Sequence, residues 1–316
     1  MRSVPRGACI ALGAALTAGA LAGCGLAIGP APSAVQLQVT RDFGATVLHS
    51  SGALHAGAGE TMLNLLAGSL PVSAGSGGQV QRLDGLPGER SAGGADAAAS
   101  WSYYVNGVLV SKPPAGRSVH AGDHVWWDLH DGVQAAGTQV VVGSFPEPFV
   151  NGVEGERLPV RVECVDAAGY ACRAVTASLR DAGVPAAIAA VGSGGAPETL
   201  RVMVGPWDRI GGDLEAQSIA RGPRVSGVYA RFSADGRALT LLDAEGRAAR
   251  TLQADAGLVA ATRAPKEAPV WVVTGTDDAG VELAAHAFDR AALRDHFALA
   301  LSAGSAIPLP DAASAR

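Results

Sequence analysis

The sequence predicts an α+β protein in two parts: a small sheet with one helix across a face, then an α/β layered region. Three observations predict it. Between residues 36 and 132, short alternating stretches outnumber a single helical one. From residue 160 to residue 302, strand-like and helical stretches interleave. Between them GSFPEPFVNGVEGERLP (143–159) is rich in Pro and Gly and has no period, which reads as a linker or crossover.

In the first part QLQVTRDF (36–43) alternates like a strand. GETMLNLLAGSL (59–70) places Met62, Leu65, Leu66 and Leu70 at helical spacing, with Glu60 and Thr61 near its start. GQVQRLDGL (78–86) and WSYYVNGVLV (101–110) are strands, the second broken by Asn106-Gly107, a strong hairpin signal. RSVHAGDHVWWDLHD (117–131) closes the unit, with Ala121-Gly122-Asp123 as the turn before its strand. The second part reads as strand 160–165, helix 168–182, strands 186–191 and 200–205, and a short helix near 212–220. Strands 225–232, 238–243 and 270–275 follow, then helix over 278–301 and a flexible tail over 303–316.

The chain begins with a basic start (Arg2, Arg6), a small-apolar run from Ala8 to Ala22 and small residues before Cys24. This is the pattern of a secretory signal peptide over residues 1–23, too short and too rich in Ala and Gly for a comfortable membrane span. Leu21-Ala22-Gly23-Cys24 looks like a bacterial lipobox, which implies cleavage before Cys24 and diacylation of its sulfur. Two acyl chains anchor stably where one does not. The expected product is tethered to the extracytoplasmic face of the cell membrane through residues 24–35. Loss of Arg2 and Arg6 leaves 22 basic residues against 29 acidic ones, a net charge of −7. An acidic chain without a basic cluster argues against a nucleic-acid partner. With Cys9 in the signal and Cys24 lipidated, Cys164 and Cys172 remain as an even pair in an oxidising compartment, so a disulfide is expected.

The segments VTRDFG (39–44), GETMLNLL (59–66), GGQVQRLDGL (77–86), WSYYVNG (101–107) and AGDHVWWDLHD (121–131) carry a further signal. In order and spacing they resemble a family of bacterial extracellular domains related to the C-terminal β-domain of transcobalamin and intrinsic factor. The resemblance covers about a third of the chain. It implies a β-grasp-like fold for residues 36–132 and a domain that lies over a corrinoid such as cobalamin. Through actinobacterial proteins of this type it also implies association with a membrane transporter for vitamin uptake. Residues 145–302 lack the helical repeats of the barrel that holds most of the corrinoid in transcobalamin.

Strand parity frames the functional question. If Val125, Trp127 and Leu129 face the helix, Trp126 shares the other face with His124, Asp128 and His130. On the neighbouring strand Trp101, Tyr103 and Val105 share one face, which leaves Tyr104 with Trp126 on the opposite one. Leaving a large side chain in water forgoes roughly 2–3 kcal/mol. Tyr104, Trp126, His124, Asp128 and His130 are therefore the candidate ligand-binding set. Three occupants stay open for this face: the second part of the chain, a corrinoid or other small molecule, or a partner protein. His124, Asp128 and His130 cannot all reach one ion from a straight strand, since same-face neighbours stand nearly 7 Å apart. No resident cofactor or metal is expected.

Enzyme motifs give little. There is no G-x-S-x-G elbow, no phosphate-binding G-x-x-x-x-G-K-[S/T] and no H-E-x-x-H. GSGG (192–195) reads as a turn. Asp277 and Asp278 follow a strand where site carboxylates and helix caps both occur, and Trp207 could line the same crevice. The leading expectation is a membrane-anchored binding or accessory component of solute uptake without catalytic activity. The alternatives are an envelope interaction module with no small ligand, or an enzyme of unrecognised type in residues 145–302.

Overall fold

A computed structural model describes residues 34–88, 99–131, 137–194 and 196–312. The expected signal peptide (1–23) and Cys24 lie outside them. The protein is mixed α+β, with eighteen strands and seven α-helices among the described residues. The first half contains β1 (Val35–Arg41), β2 (Thr46–Leu54), α1 (Met62–Ser69), β3 (Val72–Ala74), β4 (Val80–Leu83), β5 (Leu86–Pro87), β6 (Ser100–Val105), β7 (Val108–Leu109) and β8 (His124–His130). Its main sheet runs β2-β1-β8-β6-β7, with β1 and β8 parallel at the centre and the other pairs antiparallel. β3, β4 and β5 form a small separate sheet.

Local chemistry accounts for these elements. Thr61 caps α1, its hydroxyl accepting from the Asn64 amide at 3.2 Å. The helix buries Met62, Leu65 and Leu66 against Leu37, Val39, Tyr103, Val105, Val125 and Trp127. Trp127 stacks on Tyr103 with ring centroids 4.6 Å apart. Asn106 and Gly107 both adopt positive φ, 53° and 76°, as the tight turn between β6 and β7 requires.

The second half contains β9 (Val160–Cys164), α2 (Tyr170–Asp181), β10 (Ala187–Ala190), β11 (Leu200–Pro206), α3 (Trp207–Ile210), α4 (Leu214–Ala220), α5 (Pro223–Ser226) and β12 (Ala230–Phe232). It continues with β13 (Leu239–Leu242), β14 (Ala248–Leu252), β15 (Gly257–Thr262), β16 (Val270–Gly275), α6 (Asp278–His286), α7 (Arg290–Leu293), β17 (Ala298–Ser302) and β18 (Ser305–Leu309). Seven strands order as β10-β9-β11-β16-β15-β17-β18, the first four parallel and the rest antiparallel. One face of this sheet packs on α2 and α6, burying Val162, Val202, Trp271, Val175, Leu179 and Val281. The other packs on α3, α4 and the small β12-β13-β14 sheet. Cys164, at the end of β9, is bonded to Cys172 in the first turn of α2, as the cysteine count led us to expect. Closing so short a loop contributes roughly 2–3 kcal/mol in the chain-entropy model.

The structure corrects four expectations. The segment 143–159, expected as a linker or crossover, is in part core: residues 144–149 are buried, with Phe145 edge-on to Phe288 at 4.9 Å, while residues 154–157 are exposed. The segment's Pro and Gly content reports a tightly wound backbone, while Phe145 and Phe149 carry the burial. Helix does not run to residue 301, because α7 ends at Leu293 and residues 298–302 form β17. The alanines there favour helix locally, but pairing with β15 and β18 overrides that preference. The tail is not free, since β18 occupies Ser305–Leu309 and both Leu309 and Asp311 are buried. Within 225–232 only Ala230–Phe232 is strand, because α5 ends at Ser226 and Gly227 turns the chain at φ 74°.

Candidate functional site

Parity holds along β8, and the structure then supplies the occupant of the second face. Trp126 is fully buried, and so are Tyr104, Asp128 and His130. Phe297, just before β17, packs edge-on to Trp126 at 5.4 Å, to Tyr104 at 5.6 Å and to His130 at 5.6 Å. The segment from Asp295 to Phe297 sits over the indole because two glycines let it approach. A Cβ on Gly44 would lie 1.9 Å from the Asp295 carbonyl oxygen, and one on Gly143 would lie 2.7 Å from the His296 amide. The amides of Val142 and Gly143 donate to the carbonyls of Phe297 and His296 at 3.2 and 2.8 Å.

A buried polar chain fixes this seam. The Trp126 indole donates to the Thr40 hydroxyl at 2.7 Å, and Thr40 donates in turn to the Asp128 carboxylate. Asp128 also accepts from the amides of Phe43 (3.1 Å) and Gly44 (2.9 Å) and meets His130 Nδ1 at 2.6 Å. Phe43 stacks on the His130 ring at 4.4 Å. Burial, together with the charge of Asp128, holds the Tyr104 phenol well above its ordinary range. The expectation that Tyr104, Trp126, Asp128 and His130 offer a ligand platform is therefore corrected: they are the contact between the halves. Trp207 is likewise buried, stacked on Phe232 at 4.3 Å, and Asp277 caps α6 by accepting from the Gly280 amide at 2.8 Å.

His124, at the start of β8, is also buried, but unlike the other four of the predicted set it borders open space. It borders a cleft of about 560 Å³ along the seam, within the range of small-molecule sites. From the first half Gln36, Gln38, Ser50 and Ser51 line it; from the second half come Glu147, Asp181, Arg290, Arg294 and Asp295. Gln38 Nε2 crosses the seam to donate to Asp295 Oδ1 at 2.6 Å. Glu147 accepts from the Asn151 amide at 2.8 Å and from its side chain at 2.6 Å, and that side chain also donates to the Gly122 carbonyl at 2.9 Å. Arg290 and Arg294, at the two ends of α7, are exposed, and among the described residues neither takes part in an ion pair. Strand parity could find His124. The others escape sequence reasoning because they stand far apart in the chain; the lone acid in FPEPF was the only local hint.

Two buried groups in the cleft titrate in opposite directions. Burial raises Glu147 to about 7 against the pull of Asn151, with Asp123 adding to the rise and Arg290 opposing it. Burial, helped by the positive charge of Arg290, lowers His124 to about 4. Glu147 titrates higher folded than unfolded, so its contribution is full below about pH 4.5 and is lost as pH rises to about 7. His124 titrates lower folded than unfolded, so its contribution is full above about pH 6.5 and is lost as pH falls to about 4. Each effect is on the order of 3 kcal/mol, and the two nearly cancel where they overlap. Denaturant unfolding across this range is expected to show stability climbing with pH in Glu147→Gln and falling with pH in His124→Gln. Parallel profiles for both variants and the parent would rule this pairing out.

No family model matches the chain, and no curated protein matches it.

Proposed function

We propose that this protein is a membrane-anchored extracytoplasmic lipoprotein, held by diacylated Cys24, that captures a small solute through its oxyanion group in the seam cleft. On this reading it is a non-catalytic binding component of solute uptake that works beside a membrane transporter. The observation that carries it is the pair of exposed arginines, Arg290 and Arg294, on a cleft of ligand size. A guanidinium presents a planar fork of donors that matches carboxylate and phosphate. Gln36, Gln38, Ser50 and Ser51 add neutral polar groups, while Asp181 and Asp295 suit a donor or cationic group elsewhere on the solute.

The order β2-β1-β8-β6-β7, with a central parallel pair and one helix on a face, supports a β-grasp-like reading of the first half. The corrinoid expectation needed Tyr104 and Trp126 as an open platform, and both are inside the molecule. The proposed ligand is accordingly smaller than a corrinoid and is held by its oxyanion. Isothermal titration with small carboxylates, organic phosphates and cyanocobalamin tests it. At least one oxyanion is expected to bind saturably, with affinity reduced tenfold or more in Arg290→Ala at unchanged melting temperature. Absence of oxyanion binding, or binding indifferent to Arg290→Ala, defeats the proposal. Saturable cyanocobalamin binding that ignores this substitution would put a corrinoid in its place.

A further inference from the structure

We infer that the solute is an amphiphile whose oxyanion head occupies the seam cleft and whose apolar tail lies in the groove between α2 and α6. This rests on the cleft being a ligand site and adds the chemical class of what it holds.

A second cavity of about 460 Å³ adjoins the first, and the two share Phe145, Pro146, Asp181, Ala182 and Arg290. The character of the lining changes across that junction. On the cleft side stand Gln36, Gln38, Ser50, Ser51 and Arg294, with Arg290 at the junction. On the far side stand Ala174, Ala177, Ala285, Phe288 and Tyr170. Phe145 and Phe288 are buried and locked edge-to-face at 4.9 Å, which gives the groove a rigid apolar floor. The Ser178 hydroxyl could have wetted this surface, but it donates to the Phe288 carbonyl at 2.5 Å.

Tyr170 closes the outer end with 46% of its surface exposed, one of five large apolar side chains left so open among the described residues. A large exposed ring at the mouth of an apolar groove is what a tail would cover. From Asp181, at the junction, back to Tyr170 the helix rises about 16 Å, room for a medium-chain acyl group. Charge is complementary along the same path. Arg290 stands at the junction and Arg294 on the cleft side, neither in an ion pair among the described residues, while His286 and Asp289 also line the groove.

The test uses the full chain carrying Cys24→Ser, purified without detergent, so that no acyl group or micelle competes. Straight-chain carboxylates from acetate to decanoate, and the matching alkyl phosphates, are titrated calorimetrically. The dissociation constant is expected to fall about three- to fourfold with each added methylene until the groove is filled, in at least one of the two series. The series with the tighter constants identifies the head. Ala177→Phe, which fills the groove, and Tyr170→Asp, which puts a charge at its mouth, are each expected to flatten the dependence on length and leave short-chain binding intact. Head binding that is independent of length overturns this inference and leaves the cleft reading standing. Failure of every chain length, acetate and methyl phosphate included, overturns the cleft reading and this inference with it. A length dependence that survives both substitutions places the tail elsewhere and overturns the inference alone.

Discussion

Trp126→Ala is expected to lower the unfolding free energy by about 3–5 kcal/mol, among the largest losses any single truncation in this protein should cause. The indole is fully buried and touches both halves. Its nitrogen donates to Thr40, and its ring meets Phe297 edge-on, flanked by Gly44 and Gly143. The backbone at Gly143 cannot collapse into the vacated space without breaking the paired hydrogen bonds of Val142 and Gly143 to residues 296–297, nor that at Gly44 without breaking its amide bond to Asp128. The cavity therefore persists, and cavity persistence is what makes such truncations costly. Chemical denaturation measures the loss. A shift below about 1 kcal/mol would mean the seam repacks freely and that the indole is not its keystone. Because Gln38 and Asp295 bridge the same seam beside the cleft, the variant should also weaken ligand capture without touching a lining residue.

Asp128→Ala should cost a similar 3–5 kcal/mol, for a different reason. Its carboxylate serves four donors in a site with no solvent: the amides of Phe43 and Gly44, the Thr40 hydroxyl and His130. Removing it leaves these groups buried and unpartnered, each at a cost of roughly 1–3 kcal/mol. The turn from Asp42 to Gly44 depends on it as well. All three residues have positive φ, a conformation that costs a side-chain-bearing residue such as Phe43 roughly 1–2 kcal/mol. The two amide bonds to the carboxylate offset that strain. Asp128→Asn should recover little, because one carboxylate oxygen becomes a donor facing a donor. Urea unfolding of the three proteins checks this ranking, and an Asn variant as stable as the parent would contradict it.

Both predictions concern residues whose facing was legible in the sequence and whose surroundings were not. The alternation of HVWWDLH places Trp127 under α1 and Trp126 on the reverse, and that division holds. The helix start near Glu60 and Thr61, Asn106-Gly107 as a turn and Cys164 with Cys172 as a disulfide were equally readable, each from chemistry contained within a few residues. β15 and β17 escaped because they are buried on both faces and do not alternate. β18 escaped because its Pro308 and flanking alanines resemble a tail until β17 supplies a partner. The cleft was out of reach for the same reason on a larger scale, since Gln38 and Asp295 are 257 residues apart.

By itself the sequence determined the α+β class, the two faces of β8, the short-range caps and turns, and the cysteine pairing. Only the tertiary structure decided that the reverse face of β8 meets Phe297 rather than a ligand, and that open space survives beside His124 between Glu147 and Arg290. The physical reason is range. Side-chain periodicity is set by backbone geometry over a few residues, so it reports which way a residue points. What it meets there depends on the complementary surface of a distant segment, which no local pattern encodes.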